Sequence, residues 1–273
     1  MTDDRNYALG SSDQELARLD AQAEYYRPAT LDAMRWAGIG PGMRVLDLGS
    51  GTGAVAFAAA ELVGPSGSVL SVDKQEAPVR TATGNAATLG IENVTFVQGD
   101  LTSWTTDERF DAMTGRLITM YLPEPGPTIK RLATLVRPGG VVLLQEFAMS
   151  ATCQIPQTPL FRHSMDAVLA AFRAVGLPTD LGYDLDRVFV DAGLPTPTMI
   201  VGGRWERGPN ARIYPLLAGI TRTLLPVIVA HGIAAEAEVD IDTLEQRLRT
   251  AGTEAGSGGS GPPLVSAWAS VPG

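Results

Sequence analysis

Short apolar runs alternate with stretches of helical period over residues 43–147, and this alternation sets the expected fold. Met43–Leu48 reads as a strand, Gly49 to Gly53 as a glycine-rich turn, and Ala54–Val63 as an alanine-rich helix stopped by Gly64 and Pro65. Ser68–Val72 is a second strand ending at Asp73, and Pro78–Leu89 is a helix weakened by Gly84. Val94–Val97 is a third strand ending at Gly99 and Asp100, followed by a strand over Phe110–Thr114 and a helix over Thr128–Val136. Pro138, Gly139 and Gly140 then turn the chain into Val141–Phe147, the most apolar strand of the set. Repeated strand–helix units with short turns predict a doubly wound, mostly parallel sheet with helices on both faces.

The flanks are patterned differently. Residues 1–10 read as a loose polar tail. Ser12 with Glu15 forms a capping box ahead of Leu16, Leu19 and Ala23 at helical spacing, and Pro28 opens a second short helix that ends near Gly38. Beyond Ser150 the pattern predicts helices over Leu160–Val175 and Leu185–Ala192 and a strand over Thr198–Arg204. A helical excursion over 210–250 follows, broken at Pro215 and Pro226, then a mobile loop from Gly256 to Pro263 and a last strand over Leu264–Val271.

Composition narrows the picture. The chain has 273 residues and a formal net charge of −9, which argues against a nucleic-acid partner because phosphate binding needs a basic stripe. A hydrophobic content of 45% suffices for a sizeable core. Cys153 is the one cysteine, so neither an internal disulfide nor a cysteine-held metal is expected. No run reaches about 18 apolar residues, so no membrane span is expected. The N-terminus is polar and acidic, unlike a signal peptide, and a cytoplasmic location is expected.

The sharpest chemical signal is Val45-Leu46-Asp47-Leu48-Gly49-Ser50-Gly51-Thr52-Gly53. A strand running through glycines into a helix lets a ligand approach the backbone closely beside free helix N–H groups. The spacing of Gly49, Gly51 and Ala54 also fits a dinucleotide fingerprint. Asp47 argues the other way, since a carboxylate there repels a pyrophosphate and favours an ammonium or sulfonium. Asp73 can accept from both ribose hydroxyls, in either kind of site. Asp100, after Gly99, can accept from an exocyclic adenine N–H, with Leu101 covering the ring.

With these pieces in place, residues 41–150 resemble the class I S-adenosylmethionine-dependent methyltransferases, in particular the UbiE-like small-molecule branch. The matching segments are VLDLGSGTG (45–53), SVD (71–73), GD (99–100), FDAMTGRLITMYLPEP (110–125) and RPGG (137–140). The resemblance implies a Rossmann-like α/β sheet of seven strands, mostly parallel with an antiparallel last strand, plus a helical lid. It divides the chain into a lid (1–36), a cofactor-binding core (37–150) and acceptor-pocket helices with the last two strands (151–273). It implies S-adenosyl-L-methionine as cofactor and S-adenosyl-L-homocysteine as product. Gly49, Ser50, Gly51 and Gly53 would line the cofactor together with Asp47. Asp73 and Lys74 would serve the ribose, Gly99, Asp100 and Leu101 the adenine, and Gly115 with Arg116 the ammonium through backbone carbonyls. Tyr26 would cover the methionine end. Thr198–Arg204 and Leu264–Val271 are the candidates for the antiparallel pair, with 205–263 inserted between them.

Three residues are candidates for orienting or deprotonating an acceptor: His163 early in a helix, Glu146 at the end of the fifth strand facing the cleft mouth, and Tyr25 in the N-terminal helix. Each has a plain alternative: a surface histidine, a solvated carboxylate and a packed ring. His231 reads as a helix cap, Cys153 as a buried inert thiol, and Trp205 and Trp268 as strand-face packing residues. The expected function is methyl transfer to a small aromatic or heteroaromatic acceptor at O, N or an electron-rich carbon such as an indole carbon. A quinone-biosynthesis C-methyltransferase, an NAD(P)-binding oxidoreductase and a non-catalytic S-adenosylmethionine-binding protein are the alternatives. Homodimerisation is left open, with no interface to point to.

Overall fold

The computed structural model describes residues 13–273; Ser12 and the polar tail lie outside the described residues. In chain order the helices are α1 (Asp13–Trp36), α2 (Ala54–Val63), α3 (Glu76–Leu89), α4 (Pro125–Ala133), α5 (Pro159–Ala174), α6 (Leu185–Asp191), α7 (Ile213–Ala230), α8 (Glu236–Val239) and α9 (Ile241–Glu254). The strands are β1 (Arg44–Leu48), β2 (Ser68–Asp73), β3 (Val94–Gln98), β4 (Phe110–Arg116), β5 (Val136–Phe147), β6 (Cys153–Ile155), β7 (Thr198–Gly202), β8 (Glu206–Arg207), β9 (Gly258–Ser260) and β10 (Leu264–Ser270).

Seven strands form one sheet in the order β3-β2-β1-β4-β5-β10-β7. The pairs from β3 through β5 are parallel, and β10 runs antiparallel to β7 with Val265 opposite Val201. This is the expected seven-stranded, mostly parallel sheet, and the antiparallel pair forms between the two segments proposed for it. The strand order reverses between β1 and β4, so the carboxyl ends of these two strands flank the switch point where ligands bind in such sheets.

Alternation along the strands assigns side chains to two faces. Leu46, Leu48, Met113 and Leu144 pack with Ile129 and Leu132 of α4 and with Val188 and Phe189 of α6. Val45, Val69, Ala112 and Leu143 pack with Leu31 and Met34 of α1 and with Val55, Ala56 and Ala59 of α2. Two residues further along each strand, Asp47, Ser71, Thr114 and Gln145 continue this second face. All four are fully buried.

Contacts divide the chain into two compact units. The sheet unit holds residues 23–146, 181–202 and 264–273; the helical unit holds residues 13–22, 147–180 and 203–263. In the helical unit α5, α7 and α9 pack on one another. The same unit carries a three-stranded antiparallel sheet, β6-β9-β8.

Several local expectations give way. Pro28 does not start a new helix: α1 runs unbroken for 24 residues with Pro28 inside it and its ring exposed. A proline in a helix interior costs about 3 kcal/mol, which the burial of Tyr25, Tyr26, Leu31, Ala33 and Met34 on the same helix outweighs. Likewise neither Pro215 nor Pro226 breaks α7. Pro215 sits in its first turn and Pro226 faces solvent. α7 also corrects the reading of hydropathy, because its 18 residues average 1.7 and are long and apolar enough to cross a membrane. Its buried side chains, among them Tyr214, Leu217, Leu224 and Ile228, make it the core helix of its unit. Finally, Gly256 to Pro263 is not a mobile loop. Gly258–Ser260 is a strand, and a Cβ on Gly258 would lie 2.6 Å from the Trp205 indole nitrogen. Gly258 and Gly259 serve close packing.

Candidate active site

The β1–α2 turn lies at the switch point and is built from left-handed glycines, Gly49 (φ 83°), Gly51 (φ 50°) and Gly53 (φ 94°). Their surroundings differ. A Cβ on Gly49 would meet the Ile118 side chain at 2.9 Å, and one on Gly53 would overlap the Phe57 ring. One on Gly51 would meet nothing within 4 Å. Gly51 is therefore where the turn offers bare backbone to open space, the feature a cofactor lying against it requires.

The turn is anchored from beneath. Ser50 Oγ lies 2.9 Å from Ser71 Oγ, and Ser71 Oγ donates to Asp47 Oδ2 at 2.7 Å. Asp47 has no exposed surface, and its Oδ1 accepts no hydrogen bond. Burial pushes its carboxyl up to about 7, against the opposing pull of Ser71 and Arg116. Because the side chain is sealed, it acts on the turn through the two serine hydroxyls and through its charge.

Asp73 ends β2 half-buried. Its carboxylate accepts from the Gly51 N–H at 3.3 Å and from the Gln75 N–H at 3.0 Å, which ties the second strand end to the open glycine. The Gly99 N–H bonds the Asp73 carbonyl at 2.8 Å. Asp100 accepts from the Thr102 N–H and hydroxyl at 2.9 and 2.7 Å, which hold its carboxyl below the usual range. Lys74 is turned to Asp100, 3.1 Å away, in an exposed pair that contributes little to stability. Leu101 is buried in the core with Val72 and Leu122.

At the end of β4, Gly115 stands in register with Leu48, the residue before the turn. Arg116 is half-buried, and its Nη1 donates to Thr30 Oγ1 of α1 at 2.9 Å. Burial pushes the guanidinium down to about 10, with Asp47 and Tyr26 pulling the other way. Tyr25 and Tyr26 are buried edge to face, with centroids 4.8 Å apart, and burial raises the Tyr26 phenol well above its ordinary value. Thr30, Ser71, Thr114 and Gln145 join this neighbourhood without having been singled out. The signal for Ser71, Thr114 and Gln145 was a polar residue interrupting an apolar strand at the same level on β2, β4 and β5; Thr30, on α1, carried none. Thr114 Oγ1 and Gln145 Oε1, like Asp47 Oδ1, are buried without a partner.

The catalytic candidates separate. Glu146 is not a solvated carboxylate at a cleft mouth. It is buried, and its Oε1 accepts from the backbone N–H groups of Thr119 and Met120 at 2.7 and 3.3 Å. Burial pushes it up to about 7. His163 is exposed on α5, in the helical unit. His231 caps the end of α7, as its position before Gly232 suggested. Cys153 is half-buried in β6. Trp268 packs against the α1/α2 face, whereas Trp205 lies outside the strands and is 51% exposed.

Comparison with known proteins joins this geometry to a chemistry. A family model described as a methyltransferase domain matches residues 39–173. Nocamycin O-methyltransferase of Saccharothrix syringae is 27% identical over 264 residues, covering 84% of this chain and 94% of that protein. The chain belongs to the class I S-adenosylmethionine-dependent methyltransferases. S-adenosylmethionine is accordingly the cofactor of this methyltransferase. The ubiquinone/menaquinone biosynthesis C-methyltransferase UbiE of Pseudomonas entomophila is 30% identical over 138 residues, 50% of this chain and 52% of its own. The methyltransferase thus spans about half the length of that relative, and UbiE is one relative among others. The solved YcgJ protein of Bacillus subtilis shares the fold, with a TM-score of 0.55 at 19% identity over 89% of this chain and 99% of that one.

Proposed function

We propose that this methyltransferase methylates a small aromatic or heteroaromatic acceptor at oxygen, nitrogen or an electron-rich carbon. The observation that carries the cofactor half of this reading is the open, left-handed Gly51 at the switch point, bonded to Asp73 and anchored through Ser50 and Ser71 to the sealed Asp47. Near full-length similarity to an O-methyltransferase supports oxygen as the acceptor atom.

Residues on the ends of β1 to β4 would hold the cofactor. Gly49, Ser50, Gly51 and Gly53 would line its methionyl and ribose parts, Asp73 and Lys74 would serve the ribose, and Gly99, Asp100 and Leu101 the adenine. Gly115 and Arg116 would face the amino-acid end beneath Tyr26, and the Asp47 charge favours a cationic ligand above the turn. When bound, S-adenosylmethionine supplies a methyl group already activated by a sulfonium. The protein's task is then to orient and desolvate, and proximity alone supplies roughly 7–11 kcal/mol of such a barrier. A phenol, an amine or an indole carbon makes modest demands on a base, in keeping with a buried Glu146 and an exposed His163. Acceptor contacts are assigned to the helical unit, whose α5 and α7 carry apolar side chains. One free cysteine fits a reducing, cytoplasmic setting, and homodimerisation is to be read from solution mass.

Calorimetry with S-adenosylmethionine, S-adenosylhomocysteine and NAD tests the cofactor assignment. Micromolar binding of the first two is expected. Asp73→Ala and Asp100→Ala should each weaken it by about tenfold or more, on the order of 1.4 kcal/mol. Binding of NAD in their place would overturn the reading. An acceptor panel of phenols, indoles, amines and quinone-type rings, read by a mass gain of one methyl, then decides the acceptor. Tight cofactor binding with no turnover on any of them would favour a non-catalytic binder.

A further inference from the structure

The segment that follows β4 is held in an unusual way. Leu117 adopts a left-handed backbone (φ 56°), which a branched side chain rarely does, and its N–H bonds the Gln145 carbonyl at 2.8 Å. The chain then makes a single 3-10 turn over Thr119–Tyr121, with the Tyr121 N–H on the Ile118 carbonyl at 3.0 Å. The Thr119 and Met120 N–H groups point out of this turn, and both reach the one carboxylate of Glu146. Thr119 and Glu146 are each about 1% exposed, so no solvent replaces that acceptor.

Ile118 is the product of this arrangement. Its Cδ1 lies 2.9 Å from where a Cβ on Gly49 would stand, and its Cγ2 lies 2.9 Å from the same point on Gly115. A single side chain thus covers the first glycine of the β1–α2 turn and the one glycine of β4, at the two strand ends that flank the switch point.

We propose that Glu146 is a positioning residue for cofactor binding: its buried carboxylate holds the Thr119–Tyr121 turn so that Ile118 stays seated on Gly49 and Gly115. Removing the acceptor strands the buried Thr119 N–H and the part-buried Met120 N–H, the turn reorganises to satisfy them, and Ile118 leaves its seat. The glycine turn then loses the contact that fixes its first residue. Glu146 acts through hydrogen-bond acceptance alone, which distinguishes it from an acid–base group. The inference rests on the glycine turn being the cofactor site.

The test is S-adenosylhomocysteine affinity, by calorimetry, for the wild type, Glu146→Ala, Glu146→Gln, Ile118→Ala and the Ala/Ala double variant, with thermal melts to check folding. Glu146→Ala and Ile118→Ala should each weaken binding about tenfold. The double variant should be no weaker than the poorer single, because both changes break one chain of contacts. Glu146→Gln keeps an acceptor oxygen and should restore most of the affinity that Glu146→Ala loses. A folded Glu146→Ala with wild-type affinity overturns the proposal, as does a folded Glu146→Gln as weak as the alanine variant. If Glu146→Ala does not fold, Ile118→Ala decides: wild-type affinity overturns the proposal and a tenfold loss supports it. A wild type that binds no S-adenosylhomocysteine would instead refute the cofactor site itself.

Discussion

A carboxyl group sealed in the sheet, such as Asp47, works against the fold over a definite pH range. Burial raises its pKa to about 7 from an ordinary 3.8, so between those values the folded chain holds a proton that the unfolded chain has lost. Stability therefore falls as pH rises from about 4 to about 7 and is level above that. Glu146, also raised to about 7, contributes with the same sign, so the wild-type profile alone does not isolate Asp47. Asp47→Asn does. The melting temperature of this variant relative to wild type should climb from pH 5 to pH 8, while its affinity for S-adenosylmethionine should fall at pH 8 and approach that of wild type near pH 6. A difference in melting temperature that does not change with pH would mean that Asp47 keeps its charge in the fold by some other compensation. Motif spacing made this residue and the strand-end carboxylates legible. It did not show that Asp47 is sealed, because sealing depends on α1 covering the same face. Nor did it show Thr30, Ser71, Thr114 and Gln145, which are joined to the site only by register across four segments distant in sequence.

Two glycines inside helices show how an element is set by its neighbours. Gly84 in the middle of α3 is exposed, and a Cβ there would meet nothing within 4 Å. Replacing it with alanine removes backbone entropy from the unfolded chain and should stabilise the protein by about 0.5–1 kcal/mol. Gly252 in α9 is buried, and a Cβ there would stand 2.8 Å from Tyr214 Cζ. Tyr214 is itself fully buried, with Arg249 over its ring at 5.8 Å, so it has nowhere to retreat. The same substitution at Gly252 should destabilise by about 1–3 kcal/mol through overpacking. Chemical unfolding of the two variants checks the opposite signs, and a stabilised Gly252→Ala would refute the packing argument. The same logic explains which elements could be read in advance. The strands and helices of residues 43–147 follow from periodicity because their packing repeats the local pattern. The prolines of α1 and α7 and the glycines of 256–261 misled because propensity is local, whereas the burial of Tyr25, Leu31 and Tyr214 and the close approach of Trp205 to Gly258 are not.

At the scale of the whole chain, the order of strands differs from the order of synthesis in one consequential place. β10, residues 264–270, is laid between β5 and β7, although β7 precedes it by some sixty residues of the helical unit. Its Leu264, Val265 and Ala267 are fully buried. The Val271 N–H and carbonyl bond Gly140 and Gly139 at 2.7 and 2.9 Å, and Gln145 Nε2 donates to Ser266 Oγ at 2.7 Å. β7 is the edge strand, and β10 is its neighbour in the sheet. Without β10, both β5 and β7 expose a row of ladder donors and acceptors, and the cores on both faces lose an interior strand. Stopping the chain after Pro263 deletes only ten residues, yet it should abolish cooperative unfolding and S-adenosylhomocysteine binding together, although the whole glycine turn is retained. Near-ultraviolet dichroism through a thermal melt, with calorimetry alongside, reads both effects. A shortened chain that melts within about 5 °C of the full one, a change worth roughly 1–2 kcal/mol for a protein of this size, would show that β5 and β7 close the sheet without it.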